Sequence, residues 1–121
     1  MTTEEARVPE DDLELCSVHV RGRVSGDPEH RVLPSGDELW LVRVVVRRPP
    51  TERRDGGPVS DWIGCAARTA RTRRSVAAWR DGDEVEVTGA LRRRYYRAGS
   101  GAAQSIVEVE VDRARRRRRA A

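Results

Sequence analysis

Five aromatic side chains and 24 arginines carry most of the chemistry available to this 121-residue sequence. The aromatics are Trp40, Trp62, Trp79, Tyr95 and Tyr96. Lysine is absent, a bias that GC-rich codon usage produces. Each cation is therefore a planar, multi-donor guanidinium that can grip a phosphate or lie flat on a ring. Ring faces and guanidinium groups do non-covalent chemistry, stacking and anion pairing. The parts of a catalytic site are missing. His19 and His30 stand eleven residues apart with no metal-ligating neighbours. Glu108 and Glu110 have no nucleophile or histidine beside them and read as cross-strand partners for arginine rather than an acid/base pair. Gly99–Gly101 lacks the residues of a phosphate loop. Cys16 and Cys65 form no C-x-x-C pair, and with two distant histidines they make a poor zinc set. Both read as small buried hydrophobes. The sequence thus predicts no enzyme, no metal, no cofactor and no small-molecule substrate.

These side chains need a frame, and alternation supplies it. Val18, Val20 and Val24 share one face of a first strand, with Gly22 marking a bend or close backbone approach. Ser25–Asp37 carries Gly26-Asp27-Pro28 and Pro34-Ser35-Gly36 and reads as one long connection. Leu39–Arg47 is a second strand, with Trp40, Val42, Val44 and Val46 inward. Arg48–Pro58 reads as a mobile basic loop, and Val59–Ala67 as a third strand with Ile63 and Cys65 opposite Trp62. Thr69–Arg80 loses the alternation and predicts a helix of about three turns, ended by Asp81-Gly82-Asp83. Glu84–Tyr96 is a fourth strand, with Val85, Val87, Gly89 and Leu91 inward. Ser105–Val111 is a fifth, with Val107, Val109 and Val111 inward and Ile106, Glu108 and Glu110 outward. Five strands with one helix between the third and fourth is the order of the OB-fold, a small all-β Greek-key barrel.

Charge divides the chain into three. Residues 1–15 hold six acids against Arg7, a net of −5, and residues 113–119 hold six arginines and no acid, a net of +6. The 16–112 body, with 17 arginines and 14 acids, is the expected OB-fold domain. The acidic N-terminal arm (1–15) and the Arg-rich C-terminal tail (113–121) are expected to be disordered or frayed. The arm, folded over the arginine face, would compete with a polyanion. No apolar run exceeds four residues, which predicts no membrane span, and the acidic N-terminus does not look like a secretory signal.

The stretch Val18–Gly36, with Gly22, then Asp27, Pro28 and Glu29, Arg31, and a Pro34-x-Gly36 turn, resembles the opening of bacterial single-stranded DNA-binding proteins. The similarity continues through Asp61-Trp62, through Trp79 to Asp83, and through Val87-x-Gly89-x-Leu91-Arg92, covering roughly residues 16–112. It implies a sequence-tolerant binder of single-stranded DNA, usually a homotetramer of OB-folds, with cytoplasmic, nucleoid-associated location. Trp62 and Tyr96 match stacking positions of that family, and Arg68 falls where a stacking Phe is common. The family's acidic, apolar C-terminal tip has no match before Ala121, which points to an accessory role in replication, repair or recombination.

The residues by themselves lead to the same candidates. Trp62 and Tyr96 are outward by strand parity, and Tyr95 adjoins the Gly/Ala-rich 97–104 segment. Arg43, Arg47, Arg48, Arg92 and Arg94 lie on or beside that face as phosphate contacts, whereas Trp40 and Trp79 belong to the core. The expected partners are single-stranded DNA and further copies of the chain, as dimer or tetramer. Two alternatives keep the fold: single-stranded RNA binding, and a protein-interaction or assembly module without nucleic-acid affinity.

Overall fold

A computed structural model describes residues 14–121. The expectations for the acidic arm fall on residues 1–13 and lie outside them. β1 (Ser17–Val24), β2 (Glu29–Val32), β3 (Glu38–Arg47), β4 (Ser60–Ala67), β5 (Glu84–Arg97) and β6 (Ala103–Arg118) form the sheet, and α1 (Ala70–Ala77) stands between β4 and β5. Valine dominates the inward positions, where a β-branched side chain suits a pleated surface. β1 pairs β5 from Ser17 to Arg23, β5 pairs β6, β6 runs parallel to β4, and β4 pairs β3. β3 then returns to β1 through Arg23–Val45 and Val24–Val44, closing the circuit. This closed, five-strand Greek-key circuit is an OB-fold.

The interior is filled by Val20, Val24, Val42, Val44, Cys65, Ala67, Val85, Val87, Val109 and Val111. The helix adds Val76, and Trp79 just beyond it is 2% exposed, as a core residue should be. Trp40 packs half-buried against this core and tilts over His30, with ring centroids 5.1 Å apart. Thr69 caps the helix by accepting the Thr72 amide at 3.2 Å. Among the described residues no helix is long and apolar enough to cross a membrane.

Four expectations need correction. The connection 25–37 contains β2, which pairs with β3 outside the barrel circuit. Only four residues long and exposed throughout, it has no apolar face to announce it. The helix is shorter than Thr69–Arg80, because Ala78 already serves as its C-cap. Cys16 is exposed, its thiol 3.5 Å from the Leu91 carbonyl, whereas Cys65 is buried. The last strand does not stop at Val111. β6 continues to Arg118, and Arg113–Arg118 of the expected tail pair with β5. Glu84 and Glu86 across the ladder give those arginines partners, and this charge pairing replaces the apolar periodicity that marks most strands.

The chain end is anchored as well. Asp83 is buried in the turn before β5, where it accepts the Arg80 and Ala120 amides at 2.8 Å each and faces Arg116 at 3.6 Å. Burial pushes its carboxyl up; the two amides and Arg116 outweigh burial and hold it below its ordinary value. A carboxyl depressed in the fold stabilises the fold above its unfolded pKa, near 3.9, and that contribution is lost as pH falls through the folded value. Asp83→Asn is therefore expected to cost about 1–2 kcal/mol at pH 7. Its deficit in thermal denaturation should shrink as both proteins are brought toward pH 3.

Candidate nucleic-acid interface

Beyond Leu91 and Val109 the β5–β6 hairpin has left both neighbours behind. β1 pairs β5 only as far as Ala90, and β4 pairs β6 only at Cys65–Val109 and Ala66–Glu110. Residues 92–107 therefore project from the barrel as a two-stranded arm. This is why Leu91 and Val107, inward by parity, are 41% and 42% exposed. Tyr95 shares their face, because Tyr95, Arg93 and Leu91 alternate along β5 opposite Ser105, Val107 and Val109. Tyr96 and Arg94 lie on the other face, with Ile106 and Glu108.

That second face forms one wall of an open cleft on the outside of the barrel. Its floor is Leu41 and Arg43 of β3 with Trp62 and Gly64 of β4. The other wall is Ser25, Asp27, Glu29 and Arg31. Arg43 and Trp62 are diagonal neighbours across the β3–β4 ladder, where Arg43 opposes Gly64 and Trp62 opposes Val45. The Arg43 guanidinium lies 4.3 Å from the Trp62 ring centroid, a cation–π contact that covers one ring face. Trp62 remains 56% exposed. Across the cleft Arg94 stands 5.7 Å from the Tyr96 ring, and the Tyr96 hydroxyl donates to Gln104 at 3.0 Å.

Glu108, expected outside, is buried at the base of this wall, where it accepts Arg94 at 3.0 Å. Glu110 pairs with Arg92 at 3.7 Å, so both carboxylates have the cross-strand arginine partners expected of them. Beneath the floor, burial first and the Glu108 charge second push the Cys65 thiol up to about 12, which leaves it inert as a nucleophile.

Four candidates, Trp62, Tyr96, Arg43 and Arg94, thus meet in one cleft. The remaining five do not line it. Tyr95 is 76% exposed on the opposite face of the arm. Arg47 ends β3 beside Ser60, and Arg92 lies on the cleft side of the arm nearer the barrel. Arg68 is exposed beyond the far end of β4, six residues from Trp62, or about 20 Å of extended chain. Arg48 is held by Asp61 in a bidentate pair at 2.7 and 2.6 Å. Their hydrogen bond raises the Arg48 pKa and lowers that of Asp61, and the Arg48 carbonyl accepts the Arg53 Nε–H at 2.9 Å. The pair ties the 48–53 loop to β4. Sequence reasoning missed Arg31 and Leu41. Arg31 has no signal beyond its charge, and Leu41 reads as a plain strand residue until β2 folds beside it.

The cleft can stack planar groups, and it is electrically balanced. Its lining holds three arginines, Arg31, Arg43 and Arg94, and three carboxylates, Asp27, Glu29 and Glu108. Arg31 is itself held by Glu29 at 3.0 Å.

Among solved structures, a Plasmodium falciparum SSB in complex with ssDNA has a similar fold, with a TM-score of 0.65 at 19% identity, covering 86% of this chain and 94% of that one. Over 46 residues the sequence is 41% identical to protein RnfH of Pseudomonas syringae pv. syringae. That match covers 38% of this chain and 44% of RnfH, so the chain spans less than half the length of that curated relative. The single-strand binding protein family model matches residues 15–116, the whole barrel and most of β6, and the chain belongs to that family.

Proposed function

We propose that this protein binds single-stranded DNA without sequence preference, non-enzymatically, by stacking bases on Trp62 and Tyr96. The observation that carries the reading is the cleft itself: two exposed rings, each with a guanidinium near it, line one cleft on the outer surface of the barrel. Stacking is worth roughly 1–3 kcal/mol per base and tolerates any sequence, because every base has a π face. Arg43 fills one face of Trp62, so a base takes the other. Arg94, Arg47 and Arg92 border the path of the backbone. Family membership supports the same reading. The proposal extends to a homo-oligomer with an accessory role in replication, repair or recombination. Leu91, Tyr95 and Val107, exposed together on the arm face away from the cleft, supply an apolar surface suited to self-association.

Tryptophan fluorescence tests it directly. Trp79 is in the core and Trp40 is half-buried, so Trp62 is the tryptophan a bound base reaches. Titration with a 35-nucleotide oligo-dT at low salt is expected to quench the emission, more weakly as salt rises, with no response to a duplex of equal length. A matched oligo-U tests whether the cleft distinguishes RNA. Failure to bind the oligo-dT would overturn the proposal.

A further inference from the structure

The cleft supplies ring faces and no surplus of positive charge, while a surplus stands elsewhere on the barrel. β6 carries a register shift between the pairs Thr88–Arg113 and Gly89–Val111, which leaves Asp112 as an extra residue. One extra residue reverses parity. Before it, Glu108 and Glu110 share a face with the even-numbered residues of β5; after it, Arg113 and Arg115 do, opposite Thr88 and Glu86. A second shift between Glu84 and Val85 brings Arg118 to the same face. On the other side of β5, His19, Arg21 and Arg23 of β1 oppose Thr88, Glu86 and Glu84. The outer surface of β1, β5 and β6 is therefore a band. Two basic rows, one on each flanking strand, stand about 10 Å apart across β5.

The carboxylates between the rows are outnumbered. Glu86 meets His19 at 2.7 Å, Arg115 at 2.9 Å, Arg21 at 3.7 Å and Arg117 at 4.0 Å. Glu84 meets Arg118 at 3.6 Å and Arg117 at 3.9 Å. Six arginines (Arg21, Arg23, Arg113, Arg115, Arg117 and Arg118) against these two acids leave the band at +4. Arg115 and Arg118 remain 68% and 81% exposed, and a shallow depression is lined by Arg115–Arg118 alone. A carboxylate shared among several guanidiniums fixes their spacing and cannot neutralise them. Arg113 and Arg115 stand about 7 Å apart along the strand, a step on the scale of successive phosphates in an extended single strand. From Glu108 in the cleft to Arg115 is seven residues, or about 23 Å, so the two surfaces are distinct.

We infer that this band is a second binding surface for the phosphate backbone of single-stranded nucleic acid, one that engages only strands long enough to leave the cleft. The work divides: the cleft stacks bases, and the band supplies the phosphate attraction that the cleft's balanced charge does not.

The test compares a 4-nucleotide oligo-dT, too short at about 7 Å a step to span the distance from cleft to band, with a 35-nucleotide one on the full chain, with Arg115→Gln/Arg117→Gln/Arg118→Gln as the band variant. At about 0.7 per lost phosphate contact, the slope of log affinity against log salt for the long strand is expected to fall by about 2, with about a 10-fold loss of affinity at low salt. Short-strand affinity and the Trp62 response are expected to stay as they were. Should the triple variant fail to fold, Arg113→Gln/Arg118→Gln removes two exposed charges and leaves the Glu86–Arg115 pair intact, with a slope change of about 1 to 1.5. An unchanged long-strand slope overturns the inference and leaves the band to an acidic protein partner; an equal loss on both lengths also overturns it. The cleft is tested apart: if Trp62→Ala binds the long strand as tightly as wild type, with a slope that the band variant lowers, the band stands and the stacking reading falls.

Discussion

Replacing Trp62 by alanine is expected to lower the affinity for oligo-dT by about 10- to 100-fold, the cost of one lost base stack. It should abolish the fluorescence response and leave thermal stability nearly unchanged. The last outcome follows from position. Trp62 is more than half exposed and faces away from the interior, so its removal opens no cavity. What it does release is Arg43, which loses its ring partner at 4.3 Å. A cation–π contact at an exposed site is worth about 0.5–1 kcal/mol, less than a base stack, so the effect on DNA should exceed the effect on the fold. Trp62→Phe keeps a π face and is expected to recover most of the affinity. Equal binding by wild type and Trp62→Ala, measured by anisotropy of a labelled oligomer, would remove stacking at this position from the mechanism.

How much of this was legible in the sequence depends on which force shapes each element. The barrel strands announce themselves because their inner faces are valine on a period of two, and Val18–Val24, Val42–Val46 and Val85–Val87 read at sight. β2 and the last third of β6 do not, because β2 packs nothing apolar and the end of β6 sets only Ala114 against the core. β2 is held to β3 by backbone pairing, with His30 over Trp40, and Arg113–Arg118 are held by backbone pairing and by Glu84 and Glu86 on a neighbouring strand. No local pattern records that partnership. The same limit applies at the site. Parity placed Trp62 and Tyr96 outward, and it placed Tyr95 on the opposite face. It could not show that Arg48 is spoken for by Asp61, thirteen residues away, or that a projecting hairpin exposes Leu91 and Val107. The resemblance to single-stranded DNA-binding proteins supplied what parity lacked, the order of motifs along the chain.

The largest expected effect on stability comes from the two glycines where the barrel is tightest. At Gly22, β1 crosses β3 to close the circuit, and a Cβ there would land on the Val45 carbonyl oxygen. At Gly89, beside the β6 register shift, a Cβ would land on the Glu110 carbonyl oxygen. Neither glycine has a positive φ, so the requirement is for space rather than for a special backbone conformation. The obstructing atoms are backbone oxygens of paired strands. They can withdraw only by opening the ladder that makes the barrel, whereas a side chain would simply change rotamer. Gly22→Ala and Gly89→Ala are each expected to cost about 3 kcal/mol, the upper range for overpacking, and to lower the Tm by on the order of 10 °C. Gly99, with open space around it and no strand to part, is the control, and Gly99→Ala should leave the Tm within about 2 °C. The two barrel glycines differ in what their loss reaches. Gly22 stands against Val45, the ladder partner of Trp62, so its variant, once folded at low temperature, is expected to bind oligo-dT of either length more weakly. Gly89 lies where β5 and β6 pass from the basic band toward the cleft. Parting that ladder would shift Arg113 and Arg115 against Glu86, so Gly89→Ala is expected to alter the long-strand salt dependence as well as the melting temperature.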